Sequence, residues 1–350
     1  MLTPLKADKE ITRLQHLIDD ASKIVVLTHM SPDGDAIGSS TAFCGLMDTL
    51  GKDCHIILPD MMLESLRNVP GAKEAIDAKR YPDFALKLIA EADLIVCLDF
   101  KTPSRIAQLA KPMLDAKAPK VLIDHHLYPA DFAEVCISRP DLSSTCFLLF
   151  KVICALGMFT DLTRETATDI LTGMMTDTGN FSYNASDPEL YVVVSELMKL
   201  GADKEAIYRH QFNTESLDAM RLNAFALLER MEVWHEYGAA MISLTRSELN
   251  SYHYTKGDTE GLVNRPLAIP GIVYSVFLRE EEDYVKVSMR SLGSVPVNQM
   301  CTDHFGGGGH LNAAGGEFRG TLEQAQKVFK SILKPNLKKY SKEIHDAKKL

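Results

Sequence analysis

Histidines and carboxylates recur at four places along the 350-residue chain. THMSPDGDAIGSS offers His29, Asp33 and Asp35; LDF offers Asp99; IDHH offers Asp124, His125 and His126; TDTGNF offers Asp177. Taken singly, each has an ordinary explanation, since aspartates favour turns and helix starts and most histidines are merely satisfied polar groups. Taken together they do not. Gathering several carboxylates is costly unless cations offset the charge. A mixture of Asp and His suits Mn²⁺ or Mg²⁺ better than a thiolate-bound zinc. The donors outnumber the needs of one ion, so two ions sharing an aspartate are expected. Two cations about 3.5–4 Å apart are a common arrangement for hydrolysing phosphate esters.

These residues meet only if the elements that carry them converge. KIVVLTH (23–29), CHIILP (54–59), DLIVCLDF (93–100) and KVLIDHH (120–126) read as strands. Their unbroken apolarity implies burial on both faces, as in a parallel sheet. Helical patterns at 36–51, 83–92 and 103–116 lie between them, which predicts a doubly wound α/β domain. In such a sheet ligands bind at the carboxyl ends of the strands, where His29, Asp99 and the Asp124–His126 run fall. From 143 to about 230 the patterns are helical, including SLDAMRLNAFALLERMEVW, and Asp187-Pro188 is a helix-start signal. Strand patterns return at 239–244, 271–280 and 284–293, the last two as a hairpin. The run FGGGGHLNAAGGEF (305–318) and a final helix follow. This predicts a second, smaller α/β domain, with the boundary between 200 and 235.

Composition narrows the function classes. The hydrophobic and charged fractions, 46% and 24%, are ordinary for a soluble globular chain. No apolar run approaches the roughly 20 residues of a membrane span. MLTPLKADKE lacks the apolar core of a secretory signal. The seven cysteines form no C-x-x-C pair, so neither a zinc ribbon nor a disulfide framework is expected, and a cytoplasmic location fits. The net charge of −9 argues against coating long nucleic acid, which needs a broad basic surface. The lysine-rich stretch Lys334–Leu350 reads as a solvated amphipathic helix.

In order, HMSPDGDAIGSS, LDF, IDHH and TDTGNF resemble the four motifs of the DHH phosphoesterases, with Asp124-His125-His126 as the namesake triplet. FGGGGHLNAAGG resembles the signature of the DHH-associated domain. Within the family, the two-domain length is similar to the short oligoribonuclease ("nanoRNase") and 3′-phosphoadenosine 5′-phosphate phosphatase group. One departure is visible: relatives often carry an acidic residue after the Ser-Thr pair, where this chain reads SSTCFLLF. The resemblance implies a catalytic metal-binding domain over 1–200, a helical linker over 201–235 and a substrate-binding domain over 236–350. It implies that His29, Asp33 and Asp99 hold one cation and that Asp35, Asp99, His125 and Asp177 hold a second, with Asp99 bridging. His126 would face the scissile phosphate, and Asp124 would orient a histidine. Mn²⁺ is the expected metal, with Mg²⁺ or Co²⁺ as alternatives.

The second domain is expected to choose the substrate. Glycines 306, 307, 308 and 309 let backbone amides approach a phosphate closely. Arg290 suits a bidentate phosphate grip, and His310 lies beside the glycine run. By resemblance, Arg290, Gly306, Gly307, Gly308, Gly309 and His310 would bind the phosphate remote from cleavage. The expected activity is hydrolysis of short RNA to mononucleotides, and of 3′-phosphoadenosine 5′-phosphate to AMP. The alternatives are a (cyclic) dinucleotide phosphodiesterase or exopolyphosphatase on the same site, or a non-catalytic nucleotide-binding regulatory module. The expected partner is a short oligoribonucleotide or small nucleotide, with no long duplex and no membrane. The helical middle could supply a homodimer interface.

Overall fold

The structure is a computed structural model that describes residues 3–347. It divides into two units, Met1–Thr214 and Glu215–Leu350. In chain order the first unit contains α1 (Asp8–Asp20), β1 (Lys23–Leu27), α2 (Gly34–Thr49), β2 (Asp53–Leu58), β3 (Ile76–Asp77), α3 (Pro82–Glu91) and β4 (Leu94–Leu98). Then come α4 (Ala110–Asp115), β5 (Lys120–Asp124), β6 (Val135–Ser138), α5 (Thr145–Ala155), α6 (Arg164–Asp177), α7 (Pro188–Lys199) and α8 (Lys204–Phe212).

All six strands are parallel, in the order β3-β2-β1-β4-β5-β6. Alternate residues of the central strands feed two cores. Ile24, Val26, Val96, Leu98, Val121 and Ile123 pack on the side of α1, α2, α5 and α6. Val25, Leu27, Ile95, Cys97 and Leu122 pack on the side of α3 and α4. Both faces are covered, which is why these strands read as unbroken apolar runs. The strand order reverses between β1 and β4. In a doubly wound sheet that switch point opens a crevice beyond the carboxyl ends of the strands.

Small residues bring α6 against α2. A Cβ on Gly34 would collide with the Thr176 side chain, and one on Gly38 would lie 2.5 Å from the Asp169 carbonyl oxygen. A Cβ on Gly45 would lie 2.7 Å from Thr166 Cγ2. Gly34, Gly38 and Gly45 thus let the two helices approach almost backbone to backbone. The C-terminus of α6, with Asp177, is thereby drawn towards the start of α2.

Several local expectations are corrected. The helix expected over 103–116 is a 3₁₀ turn over Pro103–Leu109, broken at Ala107 (φ 45°), followed by α4. Pro112 explains this, since it tolerates only the first turn of a helix. Strands β3 and β6 were not expected, being two and four residues long. Cys44 of α2 and Cys54 of β2 are paired, with Cα atoms 5.4 Å apart, where no disulfide was expected. The two cysteines meet because β2 returns beside α2, a proximity that C-x-x-C spacing does not report.

The second unit contains α9 (Leu217–Glu229), β7 (Met231–Trp234), β8 (Ala239–Leu244), α10 (Arg246–Ser251), β9 (Tyr274–Glu280), β10 (Val285–Ser291), α11 (Val297–His304), β11 (Gly307–Gly309), β12 (Ala313–Phe318), α12 (Leu322–Lys339) and α13 (Ser341–Ala347). The expected hairpin is β9 with β10, antiparallel. The sheet order is β11-β12-β10-β9-β8-β7. Met241, Val276, Val287 and Met289 face Phe329 and Ile332 of α12, whereas Ile242 and Phe277 face Leu222 and Ala226 of α9. MEVW, expected to end a helix, is β7 paired with β8; its pairing overrides the helical pattern before it. The C-terminal basic stretch is helical through Ala347, and residues 348–350 lie outside the described residues. Among the described residues, no helix is long and apolar enough to cross a membrane.

The glycine run forms an antiparallel hairpin of β11 and β12. Gly307 lies so close to the backbone of Gly315 and Gly316 that no side chain fits there. At Gly309, φ is 147°, and a Cβ would meet the Ala313 carbonyl oxygen at 2.5 Å. Strand packing alone therefore demands glycine at these two positions.

Candidate active site

The switch point between β1 and β4 gathers the ionisable groups. His29 lies just beyond β1, and its Nδ1 is 2.9 Å from the Met30 carbonyl oxygen. A proton on Nδ1 donated there leaves Nε2 as the ligand atom. That Nε2 is 3.5 Å from Asp99 Oδ2 and 3.9 Å from Asp33 Oδ2. His125 repeats the device beyond β5: Nδ1 is 3.3 Å from the Leu142 carbonyl oxygen, and Nε2 is 3.7 Å from Asp99 Oδ1 and 3.5 Å from Asp177 Oδ2. These gaps are too long for hydrogen bonds. They suit ligands around one ion, because two donors each about 2.1 Å from a cation stand roughly 3.0–4.2 Å apart, from adjacent to opposite positions.

The donors fall into overlapping groups whose ligand atoms lie within 4.8 Å of one another: His29 with Asp33 and Asp99, Asp35 with His125 and Asp177, and Asp99 with His125 and His126. Asp99 belongs to two groups, with Oδ2 turned towards His29 and Oδ1 towards His125. Its backbone is left-handed, with φ 64°. That conformation is costly for a residue with a Cβ and is tolerated best by Asn and Asp. It persists here while the Asp99 N–H donates to the Ile123 carbonyl at 3.2 Å, a pattern typical of functional sites.

Asp33 and Asp35 are held differently. Asp33 is the N-cap of α2, and its Oδ1 accepts from the N–H groups of Asp35 and Ala36. That leaves Oδ2 towards His29. Asp35, 1% exposed, accepts two backbone N–H groups from the first turn of α5, from Thr145 at 2.6 Å and Cys146 at 2.9 Å. A helix N-terminus favours just such a carboxylate. Asp124 is wholly buried at the end of β5. Its Oδ1 is 2.7 Å from His126 Nδ1, while Oδ2 has no hydrogen-bond partner.

Electrostatics agree with a site built for cations. Burial and the charge of Asp99 raise the Asp35 pKa to about 7. Burial opposes charge on His29 and His125, but the surrounding carboxylates outweigh it and raise both to about 9. Burial is likewise outweighed at Asp99, which His29, His125 and His126 hold at about 2. At pH 7 the metal-free protein therefore carries protons on both imidazoles, and a cation must displace them. Mn²⁺ affinity should rise steeply from pH 6 to pH 9, with at least two protons released per protein at pH 7. Titration calorimetry in buffers of different ionisation enthalpy measures this release, and none at pH 7 would refute the assignment of His29 and His125 as ligands.

The arrangement can hold divalent cations. Residues 23–176 match the DHH family, N-terminal domain, and residues 241–335 match the DHHA1 domain. The bifunctional oligoribonuclease and PAP phosphatase NrnA of Thermus thermophilus is 32% identical over 88% of this chain and 89% of its own length. This chain belongs to the DHH family. It is a phosphoesterase hydrolase.

Other DHH relatives differ in their stated roles. The cyclic-di-AMP phosphodiesterase PdeA of Listeria monocytogenes is 26% identical, and this chain spans 48% of its length. The crystal structure of an exopolyphosphatase-related protein from Bacteroides fragilis is 44% identical over 98% of this chain, with a TM-score of 0.94. A Thermus thermophilus RecJ structure in complex with Mn²⁺ shares the fold at 16% identity, with a TM-score of 0.58, over 97% of this chain and 56% of its own.

All eight donors singled out in the first domain, His29, Asp33, Asp35, Asp99, Asp124, His125, His126 and Asp177, lie in this cluster. In the second unit, Arg290 of β10 pairs in register with Ala313 of β12. The turn 310–313 carries His310 and is tied to the end of β10 by Asn312, which donates to Ser291 Oγ and the Gly293 carbonyl. Arg290 and the His310 turn are thus neighbours within that unit. Asn264 and Arg265 sit in a 3₁₀ turn over Leu262–Ala268. Sequence reasoning missed Thr145, which donates to Asp99 Oδ1 at 2.9 Å, and Gly173, where a Cβ would lie 2.8 Å from Asp35 Oδ1. A Ser-Ser-Thr opening to an apolar helix was the available signal for the first. Nothing local marked the second.

Proposed function

We propose that this protein hydrolyses short oligoribonucleotides to mononucleotides, and 3′-phosphoadenosine 5′-phosphate to AMP, with divalent cations held by His29, Asp33, Asp35, Asp99, His125 and Asp177. The observation that carries the reading is the near end-to-end match to a bifunctional oligoribonuclease and PAP phosphatase. The cyclic-di-AMP relative, by contrast, is matched along about half its length. Cations bound there would lower the pKa of a water and offset phosphate charge, with Mn²⁺ preferred. Asp99 turns one oxygen towards His29 and the other towards His125, so it holds the spacing between the two sides of the site. Asp124 anchors His126 through Nδ1, leaving Nε2 as the nitrogen that gives a proton to the leaving oxygen. Arg290, His310 and the glycines 306 to 309 bind a second phosphate of the substrate. The acidic chain suits short substrates, because a long duplex would need a basic track.

A second reading, polyphosphate hydrolysis, is favoured by the description of the Bacteroides fragilis structure as exopolyphosphatase-related. One experiment separates the two. The Mn²⁺-loaded protein is incubated with di- to pentaribonucleotides, 3′-phosphoadenosine 5′-phosphate, cyclic di-AMP and polyphosphate. Mononucleotides and AMP are the expected products. Orthophosphate from polyphosphate alone, or cleavage of cyclic di-AMP alone, would overturn the proposal.

A further inference from the structure

A buried threonine inside a helix commonly returns its hydroxyl to the carbonyl four residues earlier. Thr41, Thr172 and Thr176 do so here. Thr145 does not. It is fully buried in the first turn of α5, and its Oγ1 donates to Asp99 Oδ1 at 2.9 Å. Its backbone N–H donates at the same time to Asp35 Oδ2. One residue therefore touches two of the carboxylates gathered at the switch point.

We infer that Thr145 is a positioning residue: its hydroxyl sets the rotation of the Asp99 carboxylate, and so divides the two oxygens between the His29 group and the His125 group. The inference rests on the two-cation reading of the site. A carboxylate turns readily about its Cβ–Cγ bond. Asp99 Oδ2 is 3.5 Å from His29 Nε2 and Oδ1 is 3.7 Å from His125 Nε2, both beyond hydrogen-bond length. The Thr145 hydrogen bond is a short, fixed contact from a neutral donor. Its direction is stiff, because Thr is β-branched and few χ1 rotamers fit a helix. The helix behind it is stiff as well. Ser144 caps α5 through the Phe147 N–H, and every residue from Thr145 to Ile153 is buried.

Thr145→Val keeps the shape and removes the hydroxyl; Thr145→Ser keeps the hydroxyl and removes the methyl. The readouts are Mn²⁺ titration calorimetry, the spin-coupled electron paramagnetic resonance signal of a manganese pair, melting of the metal-free protein, and kcat with KM on a diribonucleotide. Thr145→Val should melt near the parent yet bind its weaker Mn²⁺ about 10–100-fold less tightly, the loss typical when a residue supporting a metal ligand is removed. The coupled signal should fall away, kcat should drop by a similar factor, and KM should stay within about two-fold. Thr145→Ser should restore the coupled signal and lie within a few-fold of the parent. If Thr145→Val does not fold, the pair Thr145→Ser and Thr145→Ala, which differ by the hydroxyl alone, carries the same comparison. Parent-like Mn²⁺ affinity and coupling without the hydroxyl would overturn the inference. So would a folded Thr145→Ser as weak as Thr145→Val. The metal readouts need no substrate, so a wrong substrate assignment is recognised separately, by a parent that binds two Mn²⁺ and cleaves no RNA.

Discussion

Replacing Asp99 by asparagine should leave a folded protein whose kcat on oligoribonucleotides is lower by roughly 100–1,000-fold, the scale of losing one group that stabilises transition-state charge. Asparagine is the informative choice. It matches aspartate in size, and it tolerates the left-handed backbone at this position. Alanine would add a backbone cost of about 1–2 kcal/mol and blur the result. Among the described residues, Asp99 is the one donor whose two oxygens face different histidines, so its loss weakens the His29 and His125 groups together. Calorimetry should show the second Mn²⁺ lost and the first weakened. Metal-free stability at pH 7 should fall, because the histidines that hold the Asp99 carboxyl at about 2 lose their buried counter-charge. Activity within ten-fold of the parent at saturating Mn²⁺ would show that Asp99 is not the shared ligand.

Gly173→Ala should produce the largest effect of a single methyl group. Gly173 lies on α6 with no charge and no hydrogen-bonding side chain. Its added Cβ would collide with Cys146 Sγ and lie 2.8 Å from Asp35 Oδ1. Neither neighbour can give way: Cys146 is in the buried first turn of α5, and Asp35 is clamped by that same turn. Overpacking of this kind costs about 1–3 kcal/mol, a fall in Tm of roughly 2–12 °C for a unit of this size. The relaxation moves either Asp35 or α6, and with α6 goes Asp177, so Mn²⁺ affinity should fall alongside Tm. A melting scan with and without Mn²⁺ tests both effects. An unchanged Tm would mean that the helices can part without cost and that the close α2–α6 approach does not hold the site.

Part of this molecule was legible in one dimension. The unbroken apolar runs KIVVL, LIVCL and KVLI announced a parallel sheet covered on both faces, because burial on two sides leaves no room for alternation. The chemistry of the donors was legible too, since Asp and His at strand ends suit hard divalent cations whatever the details of packing. The short strands β3 and β6 were not legible. Two or four residues carry too little period to register, and their partners make them strands. The hairpin formed by the glycine run was not legible for a related reason: glycines that approach a phosphate and glycines required by a neighbouring strand are spelled alike.

The sequence by itself determined which side chains could act, in what order, and on which strands and helices they ride, because hydrophobic period and ligand chemistry are local properties. Only the tertiary structure decided how they act together. It set which oxygen of Asp99 meets which histidine, placed the first turn of α5 on Asp35 from 110 residues away, and made Gly34, Gly38 and Gly173 the contacts that let α6 deliver Asp177. These are distances between segments remote in the chain. They are settled by how closely backbones can pack, which no stretch of sequence records alone.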